Sequence, residues 1–270
     1  MKRTGLIALA VLVTFFLAGA EMASALDPIP QKSGFSGFIR PAVGYLKYNS
    51  NMVASIFGYD LSKETNDSLT DSPDSQSTGI VMVPYTLAYT FDSTRTQLFL
   101  GTDLTDLIRL DYTQQIGVKQ GIGSLGVLQG GFLFSSIPTK VWKDPYLTNQ
   151  DRIDTNRKST GARLTWDRIL GSQFQMQYTY RKVDISSEKS GESIGSLSSS
   201  QRQLLERDSD LHNAEILYRF NFAKKHLLTP AFIYTLDDRD GKAMQNDAYT
   251  LQLTYAYRDN PLTGPYRVIS

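Results

Sequence analysis

The 270-residue sequence predicts an all-β fold, namely a transmembrane, antiparallel, up-and-down β-barrel with ten visible strands. Three observations lead to this prediction. The chain begins with an export signal, apolar and polar residues then alternate with a period of two, and short connections alternate with longer ones. We therefore divide the chain into a secretory signal peptide, residues 1–25, and an outer-membrane β-barrel domain, residues 26–270.

The first 25 residues have the three parts of a secretory signal peptide. Lys2 and Arg3 precede an uncharged apolar run, and the Ala-Ser-Ala sequence at residues 23–25 fits an A-x-A cleavage site. The run is shorter than the about 20 apolar residues that a membrane-spanning helix needs. We expect cleavage after Ala25 and export from the cytoplasm, and the alternative is retention as a membrane anchor.

Composition excludes several classes of function. The chain contains no cysteine, which excludes a disulfide framework, a thiolate metal site and a cysteine nucleophile. Its 28 basic and 27 acidic residues nearly balance, so the chain has no general attraction to nucleic acid. We expect no nucleic-acid partner, no cofactor and no metal.

Ten segments alternate between apolar and polar residues and are bounded by clusters of Gly, Asn, Asp and Ser. In the last segment, Tyr249, Leu251 and Leu253 share one face, whereas Thr250 and Gln252 lie on the other. The second segment fits less well, because residues 80–83 are apolar on both faces. The predicted strands are Ser36–Tyr48, Thr78–Phe91, Thr96–Thr102, Ile108–Lys119, Ser124–Ser135, Gly161–Arg168, Gln173–Val183, Leu211–Phe222, Leu227–Leu236 and Ala248–Arg258.

The lengths of the connections favour a membrane barrel. The three longest connections are Asn49–Ser77, Ser136–Thr160 and Asp184–Asp210, and all three fall on the same side of an up-and-down sheet. Every second connection is a tight turn on the other side, as in outer-membrane barrels. A soluble β-sandwich is the alternative, but it has no reason to sort its loops by length.

Aromatic residues cluster at the strand ends of the predicted outward face. We expect them to form two belts at the membrane–water boundaries, because their rings combine an apolar body with a polar edge. They are Tyr45, Tyr89, Phe91, Phe134, Trp166, Phe174, Tyr218, Phe222, Tyr234, Tyr249 and Tyr257. The expected partners are outer-membrane lipid, lipopolysaccharide and the outer-membrane assembly machinery.

The predicted inward faces collect charges of both signs. A charge in the interior must be hydrated or paired, because its desolvation is otherwise prohibitive. Two interpretations stay open, a salt-bridged plug that holds the barrel rigid and a small aqueous path whose excess of arginine favours anions. The candidates are Arg40, Arg109, Asp111, Arg163, Arg181, Glu215 and Arg219.

A candidate for chemistry lies near the outer rim. Asp210 and His212 share a face, so the carboxylate could orient the imidazole as in the base dyad of a hydrolase. The sequence lacks a second half of such a site, since Asp103 and Asp106 belong to another outer loop. We expect no catalytic residues and no enzyme, with a rim hydrolase as the alternative.

The sequence Ser-Gly-Phe-Ser-Gly-Phe at residues 33–38, followed by Gly44 and Tyr45, resembles the opening of an uncharacterised family of proteobacterial outer-membrane proteins. The layout of signal peptide, strands and loops is similar to that of small porin-like barrels. This resemblance implies a barrel in the outer membrane of a Gram-negative bacterium and brings no active-site residues with it. The expected function is a porin-like channel for small solutes or ions.

A structural or surface-binding barrel is a further alternative. The polar, low-complexity loop Ser186–Ser200 would then meet partners at the cell surface, where we expect it to be mobile.

The end of the chain departs from the barrel pattern. Aromatic alternation ends at Tyr257, residues 260–265 resemble a periplasmic turn, and Tyr266–Ile269 resembles the start of another strand. We therefore expect a complete chain to have twelve strands, an even number that returns both chain ends to the periplasm. The alternative is a ten-stranded barrel with a periplasmic tail.

Overall fold

The computed structural model describes residues 12–16, 29–39, 41–102, 106, 111–223, 225–258 and 266–269. Within these ranges the chain consists mainly of antiparallel β-strands, and helix α1 (Ser199–Gln203) is one short capped segment. The predicted all-β, antiparallel fold is therefore confirmed. In the described part of the chain, no helix has both the length and the apolar character that crossing a membrane requires.

The strands follow one another along the chain, and each of the ten predicted segments overlaps at least one of them. They are β1 (Leu12–Phe16), β2 (Gly34–Ile39), β3 (Ala42–Asn49), β4 (Val53–Ile56), β5 (Tyr59–Asp60), β6 (Ser75–Met82), β7 (Tyr85–Phe91), β8 (Thr96–Thr102), β9 (Tyr112–Gly121), β10 (Val127–Ile137), β11 (Thr139–Trp142), β12 (Asp154–Asp167), β13 (Phe174–Ile185), β14 (Ser209–Tyr218), β15 (Phe220–Phe222), β16 (His226–Arg239), β17 (Asn246–Arg258) and β18 (Tyr266–Ile269).

The sheet is an up-and-down meander. From β7 to β17, each long strand pairs with the next long strand along the chain. Beside this sheet, β1, β3 and β6 form a separate three-stranded sheet. β2 pairs with β7 and β3 pairs with β6 in the same register, from Gly34 opposite Thr90 to Asn49 opposite Ser75, with no pairing between Ile39–Tyr85 and Ala42–Met82. The four strands therefore follow one hairpin path that crosses from one sheet to the other.

Two short strands lie at the edges of the meander. β1 pairs with β3, and β18 pairs with β17 at the position of the predicted additional strand. β1 falls inside the predicted signal peptide, of which residues 1–11 and 17–25 lie outside the described residues. Among the described residues, no pairing joins the β2–β3 edge to the β17–β18 edge, so barrel closure is not observed.

Several strand boundaries differ from the prediction. β12 begins at Asp154 rather than at the predicted Gly161. Residues 154–160 are polar on both faces, so period-two alternation of apolar residues does not indicate a strand there. β10 begins at Val127 rather than at Ser124. The turn before it uses Gly126 at φ 106°, where an added Cβ would lie 2.3 Å from the Asp167 carbonyl oxygen.

The sheet has one buried and one exposed face, and their polarity is the reverse of that in a water-soluble protein. Polar residues dominate the buried face, where Thr165 is 0% exposed and Gln175 is 1% exposed. Large apolar side chains dominate the other face, where Leu251 is 84% exposed and Phe35 is 79% exposed. Soluble proteins usually bury their aliphatic side chains and expose their polar ones.

The sheet curves strongly toward its buried face. Strands β9 and β13 are separated by β10 and β12, which would place them about 14 Å apart in a flat sheet. Nevertheless Arg181 on β13 contacts Asp111, which directly precedes β9, with 3.9 Å between Nη1 and Oδ2. The buried face is therefore concave, and side chains from non-adjacent strands meet in front of it.

An apolar cluster explains why residues 80–83 are apolar on both faces. Ile80 and Met82 point to the buried face and pack against Ile56 and Leu61, which belong to the β4–β5 hairpin and the residue after it. Val81 and Val83 are on the exposed face. The hairpin inside the first long loop therefore supplies the apolar partner that the buried face needs here.

Leu61→Ala should destabilise this apolar cluster. Leu61 is almost fully buried, so we expect the free energy of unfolding to fall by about 2–5 kcal/mol. Leu69→Ala is the matched control in the same loop, where Leu69 is exposed, and it should change the free energy by less than about 0.5 kcal/mol. Urea titration in detergent, followed by tryptophan fluorescence, measures both. Equal effects would contradict the packing of the hairpin on β3 and β6.

Candidate functional site

Five charged residues meet in front of the concave face and are here called the inner charge cluster. Asp106 and Asp111 lie between β8 and β9, Arg157 and Arg163 lie on β12, and Arg181 lies on β13. Arg157 and Arg163 are an even number of residues apart on β12, and the buried Arg181 is the cross-strand partner of Gly161, which lies between them. Period-two alternation thus turns all three arginines toward the buried face. The cluster therefore combines residues from two strands with residues from one connection.

Asp106 is the most enclosed member of the cluster, with 0% of its surface exposed. Its Oδ1 atom accepts a hydrogen bond from Arg163 Nη2 at 2.7 Å and another from Arg181 Nη2. Its Oδ2 atom accepts a hydrogen bond from the hydroxyl of Thr113. Both oxygens of one carboxylate are therefore engaged by charged or hydroxyl donors.

Asp111 is held mainly by hydroxyl groups. Ser135 donates to its Oδ1 atom at 2.9 Å, and Ser159 donates to its Oδ2 atom. Arg157 lies further away, with 3.7 Å between its Nη1 atom and Oδ2. The backbone also links the two aspartates, since the amide of Asp111 donates to the Asp106 carbonyl oxygen at 3.1 Å.

Among the described residues, the inner charge cluster combines three arginines with two aspartates. Arg181 is 1% exposed, yet its Nε atom has no hydrogen-bond partner in the described part of the chain. Buried ion pairs compensate their desolvation only when the remaining donors and acceptors are also satisfied. The Nε–H of Arg181 is therefore a buried hydrogen-bond donor that neither carboxylate accepts from.

Gly161 permits a close approach of the β13 backbone at Arg181. The two residues are cross-strand partners on the buried face of β12 and β13. A Cβ atom at position 161 would lie 1.9 Å from the Tyr180 carbonyl oxygen and 2.8 Å from Arg181 Cα. Only glycine permits this approach of the two strands.

A second set of polar contacts lies near the short-turn end, which we define by the turns at residues 92–95, 122–126 and 168–173. Arg219 Nη1 donates to Asp167 Oδ1 at 2.6 Å, and its Nη2 atom donates to Gln175. Nearby, Arg95 donates to the carbonyl oxygens of Ile29 and Pro30 at 2.7 and 2.6 Å. The residues before β2 are therefore fastened to the short-turn end.

The structure places five of the seven predicted interior charges on the buried face. Arg163, Arg181 and Asp111 belong to the inner charge cluster, Arg219 contacts Asp167, and Glu215 is half-buried on β14. The other two predicted residues, Arg40 and Arg109, lie outside the described residues.

Two members of the cluster were not predicted. Arg157 falls in the predicted loop Ser136–Thr160, although its even spacing from Arg163 along β12 indicates the same face. Asp106 was considered only as a partner for a rim histidine. Its position in a connection gives no strand periodicity, so the sequence contains no signal of its contact with Arg181.

The predicted rim dyad is not formed. Asp210 and His212 lie on the exposed face of β14, and each is bound by a different tyrosine of β13. Tyr180 donates its hydroxyl to Asp210 Oδ1 at 2.7 Å, and the Tyr178 hydroxyl lies 2.7 Å from His212 Nδ1. Asp106 lies on the opposite, buried side, so it does not complete a catalytic site with His212.

Two buried arginines hold the long loops together at the other end of the sheet, the long-loop end. Arg152 donates to the carbonyl oxygens of Asn51 and Glu64 at 2.9 and 3.0 Å and lies 4.4 Å from the Trp142 ring centroid. Arg207 donates to the Trp142 carbonyl oxygen at 2.7 Å. Burial lowers the pKa of Arg152 to about 10. Three long loops therefore meet around Trp142.

The loop Ser186–Ser200, expected to be mobile, is packed against this arrangement. The backbone amides of Gly191 and Ser193 donate to the Asp144 carboxylate at 3.0 and 2.8 Å. Ser198 caps helix α1 and forms a reciprocal capping box with Gln201. These contacts use small polar side chains and backbone groups, which explains why low sequence complexity did not indicate order.

The described ranges contain no group of three or more His, Asp or Glu side chains that could hold a metal ion.

Arg152→Ala should loosen the long-loop end, because several carbonyl oxygens lose a charged donor in a buried place. We expect amide hydrogen exchange of residues 50–66 to become at least about tenfold faster. Lys140→Ala is the control, since Lys140 forms a half-exposed ion pair with Asp154 at 3.3 Å in the same region. Unchanged exchange in Arg152→Ala would show that the loops do not depend on this arginine.

Comparison with known proteins identifies the family. No curated protein and no solved structure is similar enough to count as a match. Residues 34–267 match a family described as protein of unknown function, DUF2860. The match begins at the first residue of β2 and ends within β18, so it includes the meander and the inner charge cluster. The chain therefore belongs to the DUF2860 family of proteins of unknown function.

Proposed function

We propose that the protein is an outer-membrane β-barrel of a Gram-negative bacterium and acts as a narrow, porin-like channel for small solutes or ions. The observation that carries the proposal is the reversed polarity of the two faces, with buried polar and exposed apolar residues. Exposed apolar surface is unfavourable in water and favourable in lipid, and membrane barrels alternate apolar-out and polar-in along each strand.

The distribution of charge on the exposed face supports a membrane. From β7 to β17, the Lys and Asp residues of this face are confined to the long-loop end, and the positions toward the short-turn end are uncharged. A charge on the lipid face is destabilising near the bilayer centre and tolerated near its boundary. The charged positions at the long-loop end are Lys140, Asp154, Lys158, Lys182, Asp184, Asp210, Asp238 and Asp247.

Aromatic contacts on the exposed face form groups at two levels. Near the short-turn end, the rings of Phe174 and Tyr218 are 4.6 Å apart, and near the long-loop end those of Tyr234 and Tyr249 are 5.1 Å apart. On β16, eight residues separate His226 at the lower level from Tyr234 at the upper level. This spacing corresponds to about 27 Å along the strand, or about 20 Å across a membrane at the usual tilt.

Closure of the barrel is part of the proposal. In hydrocarbon, an open sheet edge leaves backbone groups unsatisfied at a cost of several kcal/mol each. The two edges carry some of the most exposed apolar side chains of the protein, including Ile39 on β2 and Tyr249 on β17. We infer that these edges pair in the membrane, directly or through further strands, to give a barrel of twelve strands.

The interior of the proposed channel is closed in this conformation. Both carboxylates of the inner charge cluster and the side chains of Arg163 and Arg181 are almost completely inaccessible. A ten- to twelve-stranded barrel is narrow enough for side chains to fill most of it. Passage of a solute therefore requires these side chains to move, which makes small and infrequent conductance the expected behaviour.

A surface-binding barrel is the second candidate function. It is favoured by the long-loop end, where Arg152 and Arg207 fix three loops in one arrangement. Ordered loops present a constant surface to a partner, at a smaller cost in conformational entropy than mobile loops. The partners proposed for the barrel itself are outer-membrane lipid, lipopolysaccharide and the outer-membrane assembly machinery.

Leu164→Arg tests the lipid contact of the exposed face. Leu164 lies on the exposed face of β12, in its apolar part, so arginine there should lower the free energy of unfolding in lipid vesicles by about 2–4 kcal/mol. Thr160→Arg is the matched control on the same face nearer the long-loop end, where we expect about 0–1 kcal/mol. Urea titration in vesicles measures both. A water-exposed face would tolerate both substitutions equally, so equal values would contradict a membrane location.

Reconstitution of the full-length protein tests the proposal as a whole. We expect a folded form whose electrophoretic mobility changes on boiling, and rare conductance steps in a planar bilayer under a salt gradient. A protein that is soluble without detergent and indifferent to boiling would refute the barrel. A boiling-sensitive protein that never conducts would refute the channel and favour the surface-binding barrel.

A further inference from the structure

We propose that the arginines of the inner charge cluster form a binding site for a small anion with carboxylate or inorganic oxyanion chemistry. In this conformation the site holds the carboxylate of Asp106 as an internal ligand, and a free anion competes with it. The inference rests on the proposed function, because it names the class of solute that the closed interior would admit.

The contacts of Asp106 have the form of a carboxylate receptor. Arg163 and Arg181 converge on one carboxylate oxygen, and the Thr113 hydroxyl donates to the other. Guanidinium groups and hydroxyls are the donors that proteins use for carboxylates and oxyanions. The Arg163 Nε atom is itself fixed by a hydrogen bond to Thr179 Oγ1 at 3.0 Å, so its guanidinium is held in place independently of the anion.

The site has a hydrogen-bond donor that the Asp106 carboxylate does not bind. The Nε–H of Arg181 is fully buried and has no hydrogen-bond partner among the described residues. Within the described ranges, the cluster also contains one more arginine than aspartate. A second oxygen-bearing group near Arg181 would satisfy the unused donor and neutralise the excess charge, which favours an anion with several oxygens.

Asp106, rather than Asp111, is the carboxylate that occupies the arginine donors. Both Arg163 and Arg181 donate to Asp106, whereas the arginine contacts of Asp111 are 3.7 and 3.9 Å long. Asp111 directly precedes β9, and two serine hydroxyls hold its carboxylate from β10 and β12. A competing anion therefore replaces the carboxylate of Asp106 at the arginines.

The site lies at a level of the proposed barrel that a passing solute would have to cross. The arginines lie on the buried face of β12 and β13, between the contacts of Arg219 at the short-turn end and those of Arg152 at the long-loop end. A solute moving along the concave face must pass this level. Charged rings in a narrow passage select the opposite charge, so the arginines favour anions.

The test compares Asp106→Asn with wild type and with Asp238→Asn, all as full-length protein in detergent. Asparagine keeps the size of Asp106 and removes its charge, which frees Arg163 and Arg181. Asp238 pairs with Lys242 on the exposed face and provides the control. The thermal midpoint is measured against inorganic phosphate and against acetate, with potassium chloride at equal ionic strength as reference. Stabilisation by a bound ligand follows its concentration relative to its Kd.

We expect the phosphate concentration that gives half of the stabilisation to be at least tenfold lower for Asp106→Asn than for wild type. Asp238→Asn should behave as wild type. Arg181→Gln added to Asp106→Asn should abolish the effect. A folded Asp106→Asn protein that responds to neither anion would overturn the proposal, as would an undiminished response after the loss of Arg181.

A second variant covers the case in which Asp106→Asn does not fold. Arg181→Gln in the wild-type background keeps the Asp106 carboxylate and its contact with Arg163. It should reduce the phosphate response of wild type at least fivefold, and an unchanged response would overturn the site. These measurements need no conductance. A protein that binds phosphate but never conducts refutes the channel alone, and one that conducts but responds to neither anion refutes the anion site alone.

Discussion

Backbone pairing in one antiparallel register decides which side chains share a face, and the other features of the protein depend on it. Each strand sends alternate residues to opposite sides, so a single register shift would exchange all of them. The register is the same in the β2–β7 pair and in the β3–β6 pair, from Gly34 opposite Thr90 to Asn49 opposite Ser75. β12 and β13 also pair without a register shift, so their apolar residues stay on one face and their arginines on the other.

The polar buried face imposes its own condition on stability. Buried charges are tolerated only in sets whose members satisfy one another, and removal of one member is more costly than replacement of the whole set. The strands supply three arginines to the inner charge cluster but no carboxylate. The two aspartates come from the connection before β9, so the charge balance of this cluster depends on residues outside the strands.

Period-two alternation was enough to predict the all-β fold, the order of the strands and the face of each strand interior. It failed where both faces have the same character. Residues 154–160 are polar throughout, so the start of β12 and the role of Arg157 were missed. Residues 80–83 are apolar throughout, and their partner, Leu61, is distant in sequence. Asp106 was missed because contacts between a connection and a strand have no period.

The same alternation connects the exterior of the protein to the selectivity proposed for its interior. A strand that presents Leu164 to lipid must present Arg163 and Thr165 to the concave face. That face is too strongly curved for water to hydrate each charge separately, so the charges must pair within the protein. Where a buried hydrogen-bond donor has no partner in the protein, it determines which further group can bind there. At the inner charge cluster this donor belongs to Arg181, and an anion is the group that satisfies it.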